Sequence, residues 1–97
     1  MVYKIKIRPF AALEIIEAFD WYELQQEGLG LKFLADLEVF YLTLLVNPNI
    51  YSYYEKPVRQ GLLKKFPYQV VYENFDEDIV IYSVFMAKQN PSKKRTF

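Results

Sequence analysis

Two amphipathic runs separated by only a few residues, Phe10 to Glu27 and Leu31 to Val46, limit what this chain can fold into more than any other feature. In the first, Ala12, Ile15, Ile16, Phe19 and Tyr22 recur at spacings of three and four, with Glu14, Glu17, Asp20 and Glu27 opposite. Pro9 suits a first helical turn, where a missing N–H costs nothing, and Gly28 supplies the usual left-handed stop. In the second, Phe33, Leu34, Leu37, Tyr41, Leu44 and Leu45 keep helical spacing until Asn47-Pro48 ends it. The connector Gly28-Leu29-Gly30 is so short that the two helices must run antiparallel. Their shared apolar stripe then needs a cover, and the rest of the chain predicts a sheet.

Val2 to Arg8 alternates, with Val2, Lys4, Lys6 and Arg8 on one face and Tyr3, Ile5 and Ile7 on the other, which predicts a half-buried strand. After Asn49 come four further strand-like runs, Tyr51 to Glu55, Val58 to Phe66, Tyr68 to Phe75 and Ile79 to Ala87. Pro67 breaks the second from the third, and Asn74 to Asp78 is the turn before the fourth. The last two runs are rich in Val, Ile, Tyr and Phe, as central strands are. The expected fold is α+β in the order β-α-α-β-β-β, an antiparallel helical hairpin on a mostly antiparallel sheet. One domain spans residues 1–87, followed by a basic tail, 88–97, that reads as extended or loosely ordered.

A chain of 97 residues can bury a core, and a composition 53% hydrophobic and 19% aromatic is far from the signature of disorder. That aromatic excess exceeds what a core needs and suggests a partner surface, since Tyr can keep its polar end wet. Twelve basic and twelve acidic residues cancel, which argues against nucleic-acid binding driven by overall charge. The distribution is uneven, because Lys88, Lys93, Lys94 and Arg95 close the sequence with no acid among them. Cys and His are both absent, so disulfides and thiolate chemistry are excluded, and the commonest general base and metal ligand are missing. No apolar stretch approaches a membrane span and the amino terminus alternates, so a cytoplasmic protein with no membrane partner is expected.

No glycine-rich phosphate loop, metal cluster or small-molecule site can be read, and no cofactor is expected. Asp76-Glu77-Asp78 is a charged turn without calcium-loop spacing. Continuing the alternation through Val58 to Phe66 sets Arg59 and Lys65 on one face and Gln60 and Lys64 on the other, with Lys88 leaving the last strand. If the hairpin covers one side of the sheet, cations on the other would line a concave surface beside Tyr68, Tyr72 or Tyr82. Such a surface suits phosphate with base stacking, and suits an acidic amphipathic peptide equally. Lys64 and Lys65 have a plainer reading too, as charges that blunt a sticky strand. Trp21, beside the buried positions of the first helix, is expected in the core more than at a partner contact.

The order of elements, together with EAFDWYELQQEGLGLKFLADLE, the NP at 47–48, VRQGLLKKFPYQVVYE and IVIYSVFMAKQNP, resembles the ParE/RelE superfamily of toxins from type II toxin–antitoxin modules, including plasmid stabilisation systems. The likeness covers nearly the whole chain. It implies a cognate antitoxin, partly helical and disordered when free, that folds over the toxin surface. RelE-like members cut mRNA on the ribosome with a cage of basic side chains, whereas ParE-like members poison DNA gyrase and are not nucleases. At positions where RelE-like enzymes carry that cage this chain has Gln60, Leu62 and Gln69, with Met86 in place of a His and Lys94 in place of a Trp, although Lys88-Gln89-Asn90-Pro91 matches. The resemblance therefore implies a ParE-like gyrase inhibitor, with a ribosome-dependent endoribonuclease or an inert antitoxin-binding descendant as alternatives. On that reading Arg59, Lys64, Lys65 and Lys88 are target contacts, and Trp21, Tyr68, Tyr72 and Tyr82 are antitoxin contacts.

Overall fold

The computed structural model describes residues 2–87, so the tail expected at 88–97, with Lys88 and Lys94, lies outside the described residues. Strand β1 (Lys4–Ile7) leads into helix α1 (Pro9–Gln25) and helix α2 (Leu29–Val46), and β2 (Tyr53–Glu55), β3 (Val58–Leu62), β4 (Tyr68–Phe75) and β5 (Asp78–Met86) follow. The five strands form one sheet in the order β1-β5-β4-β3-β2. β1 runs parallel to β5 and all other neighbours are antiparallel, so β4 and β5 are internal, as their composition predicts. The α+β hairpin-on-sheet architecture is the expected one, but four strands follow the hairpin where the expected order β-α-α-β-β-β has three, because the short run Tyr53–Glu55 pairs with β3 as an edge strand of its own.

The hairpin turns sooner than expected. Gln26 ends α1 in extended backbone, Gly28 takes φ 87°, and α2 absorbs Leu29 and Gly30. Gly28 offers no side chain to satisfy the free N–H groups that open α2, and Glu23 of α1 does so instead, its carboxylate accepting from Gly28 N at 3.1 Å and Gly30 N at 2.7 Å. An acid at a helix N-terminus also meets the positive end of the helix dipole. Gly30 must stay bare, since a Cβ there would lie 2.7 Å from Phe19 Cδ1 and 2.8 Å from the Phe19 carbonyl oxygen. The helices can therefore touch backbone to side chain at their closed end.

Residues paired across strands share a face, so the register tells which side the hairpin covers. Val70 and Tyr72 on β4, Ile79, Ile81 and Val84 on β5, and Ile5 on β1 turn toward Phe33, Leu37, Phe40 and Leu44 of α2 and Ala11, Ala18 and Tyr22 of α1. Gly61 of β3, paired with Val70, lies beneath the stacked rings of Phe40 and Tyr51, whose centroids are 4.9 Å apart. A second aromatic group, Tyr22, Phe33, Phe66 and Tyr68, closes the other end with centroid separations of 4.9–6.0 Å. Tyr72 joins the two layers, its hydroxyl donating to the Pro48 carbonyl at 2.8 Å within the core.

The buried stripe of α1 is rotated from the expected one. Ala11, Ala18 and Tyr22 are buried, whereas Ile16 is 54% exposed. Glu14, expected in solvent, turns inward and accepts from Ser83 Oγ at 2.7 Å and Val84 N at 2.8 Å. Trp21 is 51% exposed and not a core residue. α1 carries apolar side chains almost all round, with Phe10, Leu13 and Leu24 also exposed, so periodicity left the rotation undetermined by about one residue.

The other departure is in β3, which stops at Leu62 where alternation predicted Phe66. Leu63 N still donates to the Tyr68 carbonyl at 3.0 Å, and residues 64–67 form a turn that α2 holds from the side. The buried carboxylate of Asp36 accepts from Lys65 N at 2.8 Å and Phe66 N at 3.0 Å. Two turn donors without strand partners are thus satisfied by a helix.

Candidate interaction surfaces

Three surfaces collect most of the residues singled out from the sequence, and the first and third meet at Phe85. The first is a groove of about 270 Å³ between α1 and the β4–β5 pair, walled by Glu14, Glu17, Ala18 and Trp21 and by Tyr68 with residues 84–86. β1 covers β5 only as far as Ile81. Beyond that point β5 has no strand on this side among the described residues, and Glu14 takes the Val84 N–H that a strand would have accepted. Trp21 stands edge-on to Tyr22 at 5.1 Å and presents its other side to solvent. The groove thus offers aromatic and apolar area under an acidic rim, which fits a polypeptide side-chain anchor.

Trp21 and Tyr68 are the expected antitoxin contacts that the fold brings together. Tyr68 is only 8% exposed, and it reaches this groove from the covered side of the sheet, not from the open side where cations were to accompany it. Burial raises its pKa and the neighbouring Tyr22 phenol raises it further; Tyr22 is itself raised by burial, against a hydrogen bond from Tyr68 that lowers it. Tyr72 is fully buried, which corrects its expected place on an open surface, and its phenol is pushed up to about 12 by burial. Tyr82 does lie on the open side, donating to Glu73 at 2.8 Å; burial, then Glu73, raises its pKa while Arg8 opposes them.

The second surface is a cleft of about 480 Å³ between α2 and the β3–β4 turn, lined by Lys32, Ala35, Asp36 and Val39 on the helix and by residues 64–66 on the turn. Here Lys64 and Lys65 sit side by side with Lys32, not on opposite faces of a strand. Lys32 and Asp36 were not singled out from the sequence. Asp36 had a signal, since Phe33, Asp36, Leu37 and Phe40 lie in phase, and an acid inside an apolar stripe has to be satisfied within the fold.

Arg59 belongs to neither groove. It pairs with Tyr72 and so lies on the covered side, where Nη1 donates to the Tyr51 carbonyl at 2.7 Å and Nη2 to Tyr53 Oη at 3.0 Å. The guanidinium also lies 4.1 Å from the Tyr53 ring centroid. These contacts tie the α2–β2 connection to β3 and hold the guanidinium against the protein's own carbonyl and ring.

The third surface is the face of the sheet turned away from the hairpin, open in that no helix covers it among the described residues, although Val71 and Ser83 at its centre are buried. Gln60, paired with Val71, and Leu62, paired with Gln69, occupy its β3–β4 part, and the Gln60 and Gln69 amides are hydrogen bonded to each other. Phe85 lies opposite Gln69. Among the described residues, Lys4 and Lys6 of β1 lie on this face, three strand spacings or about 14 Å from β3, and Arg8 follows them beside Tyr82. Of these, Lys6 is 3.1 Å from Asp78 in an exposed ion pair. No group of three or more metal-ligating side chains exists among the described residues. No helix among them is long and apolar enough to cross a membrane.

No protein-family model matches this sequence, and no curated protein matches it. Solved structures do. A chain of the chromosomal ParDE toxin–antitoxin system from P. aeruginosa superimposes with a TM-score of 0.77 at 18% identity, over 90% of this chain and 98% of that one. The isolated E. coli RelE toxin matches with a TM-score of 0.68 at 20% identity, over 93% of this chain and 89% of that one. A double arginine-to-alanine mutant of E. coli RelE in the free state gives 0.56 at 16% identity, over 91% and 86%. The chain therefore has the fold of the ParE and RelE toxins, as the sequence resemblance implied.

Proposed function

We propose that this protein is the toxin of a type II toxin–antitoxin pair, that it works in the cytoplasm, and that it inhibits DNA gyrase without cutting RNA. The fold shared with ParDE and RelE chains supports a toxin with an antitoxin partner. The groove beside Trp21 is the surface best suited to that partner, because it combines an exposed indole with an apolar wall from Ala18, Val84 and Met86.

The observation that carries the non-nuclease reading is the neutral patch of Gln60, Leu62 and Gln69 on the open face. Cleaving RNA builds negative charge on a phosphate and needs a proton moved off the 2′-hydroxyl. Cations placed at the reacting phosphate and a proton carrier are each commonly worth about 10²-fold or more. The patch holds amides that hydrogen bond one another and a leucine 57% exposed, and the chain has no His.

Purified protein should inhibit gyrase supercoiling or raise cleaved DNA, and primer extension on ribosome-engaged mRNA should show no new ends. Codon-positioned cuts soon after induction would overturn the gyrase reading in favour of the endoribonuclease. Free expression without toxicity, and without co-purification of the protein encoded beside it, would mark an inert descendant.

A further inference from the structure

The geometry points to a second docking site, on the opposite flank of the hairpin from Trp21: the cleft between α2 and the β3–β4 turn binds an acidic polypeptide segment that also carries apolar side chains. Its two banks are both cationic. Lys32 stands on the helix, Lys64 and Lys65 stand on the turn, and all three side chains are exposed. Among the described residues none of the three forms an ion pair. In a chain of zero formal charge this is a local concentration of one sign, and an anionic occupant relieves its self-repulsion.

The floor is apolar and low. Ala35 and Val39, one turn apart on α2, leave room for a backbone to approach, and Val39 is 44% exposed. A narrower furrow sharing Asp36, Val39 and Lys64 continues along the same helix to Thr43 and Leu62. The site is therefore longer than a phosphate needs and suits an extended or helical segment. The one carboxylate in it, Asp36, is turned to the Lys65 and Phe66 amides and buried, so it does not repel an acidic ligand as a free carboxylate would.

Single-stranded nucleic acid fits less well. Base stacking needs an open aromatic face, and the ring bordering the cleft, Phe66, is edge-packed against Tyr22 at 4.9 Å and Phe33 at 5.6 Å. Arginine, the residue that reads phosphate by a bidentate fork, is absent from the lining. This site does not depend on the protein being a toxin.

The test uses the whole protein and a fluorescein-labelled peptide alternating glutamate and leucine, read by fluorescence anisotropy at low salt. Binding should weaken about tenfold or more in the Lys32→Gln/Lys64→Gln/Lys65→Gln variant, as three exposed charge contacts are lost. The equally discharged Lys4→Gln/Lys6→Gln/Lys56→Gln variant should bind like the parent, and Val39→Asp should weaken binding with the lysines intact. Thermal melts show that each variant is folded. The inference is overturned if both discharged variants lose affinity equally, or if the glutamine counterpart of the peptide binds as well. It is equally overturned if inorganic phosphate or an oligodeoxythymidine displaces the peptide from the lysines more effectively than unlabelled peptide does.

Discussion

Replacing Asp36 by Ala tests the claim that a helix side chain holds the β3–β4 turn. The carboxylate is 5% exposed and accepts two amides, at 2.8 Å from Lys65 and 3.0 Å from Phe66. Hydrogen bonds to a charged group contribute about 1.5–3 kcal/mol each, which would give roughly 3–6 kcal/mol for two. Water can reach the exposed Lys65 side of the turn and partly replace the lost acceptor, so the expected loss is about 2–4 kcal/mol. Asp36→Asn keeps one neutral oxygen in place and should lose about half as much. Against a total stability of ~5–15 kcal/mol, either change moves a urea midpoint clearly. Hydrogen exchange locates the effect, with the Lys65 and Phe66 amides losing protection before the β4–β5 ladder does. If Asp36→Ala unfolds within ~0.5 kcal/mol of the parent, or if the two substitutions cost the same, the turn is held by something else.

Two other perturbations probe the core. Gly61→Ala would place a Cβ 2.7 Å from Phe40 Cε2 and 2.8 Å from Tyr51 Cγ, so stacked rings must separate; a loss of about 1–3 kcal/mol in chemical denaturation is expected, and a neutral result would show that the pair slides freely. Alkali should also destabilise the fold, because Tyr72 ionises at about 12 when folded against 10.0 for an unperturbed tyrosine. The raised folded value means its contribution, roughly 2–3 kcal/mol, is whole below pH 10 and is lost as pH rises through about 12. Urea melts over that range, followed with phenolate absorbance, check the sign; stability that stays level or grows there contradicts it.

The hairpin and the strand sequence were legible because 3.6- and 2-residue periods are written in Phe33, Leu37 and Leu44 and in Val70, Tyr72, Ile79 and Ile81. What failed were the places where one period gives way to contacts from elsewhere. The lysines at 64 and 65 continue the alternation of β3 on paper, but Asp36, far away in sequence, bends the chain out of the sheet first. Glu14 looked like a solvated acid because its three-and-four spacing matches Glu17, yet it is in phase with Ala11 and Ala18 as well. Only the end of β5's cover, a feature of pairing, decides between the two phases. For the candidate site, residue identities were readable and groupings were not. Trp21 meets Tyr68 and Lys32 meets Lys64 only through tertiary packing.

The parallel pairing of β1 with β5 sets a clock on biosynthesis. Lys4 waits for Asp78, and at about 5–20 residues per second roughly 70 further residues take ~4–15 s to emerge. The two grooves are therefore completed by different stretches of chain. All residues lining the lysine cleft have been synthesised once Phe66 is out, whereas the Trp21 groove has no far wall until Met86 has been added and β5 has zipped onto β4.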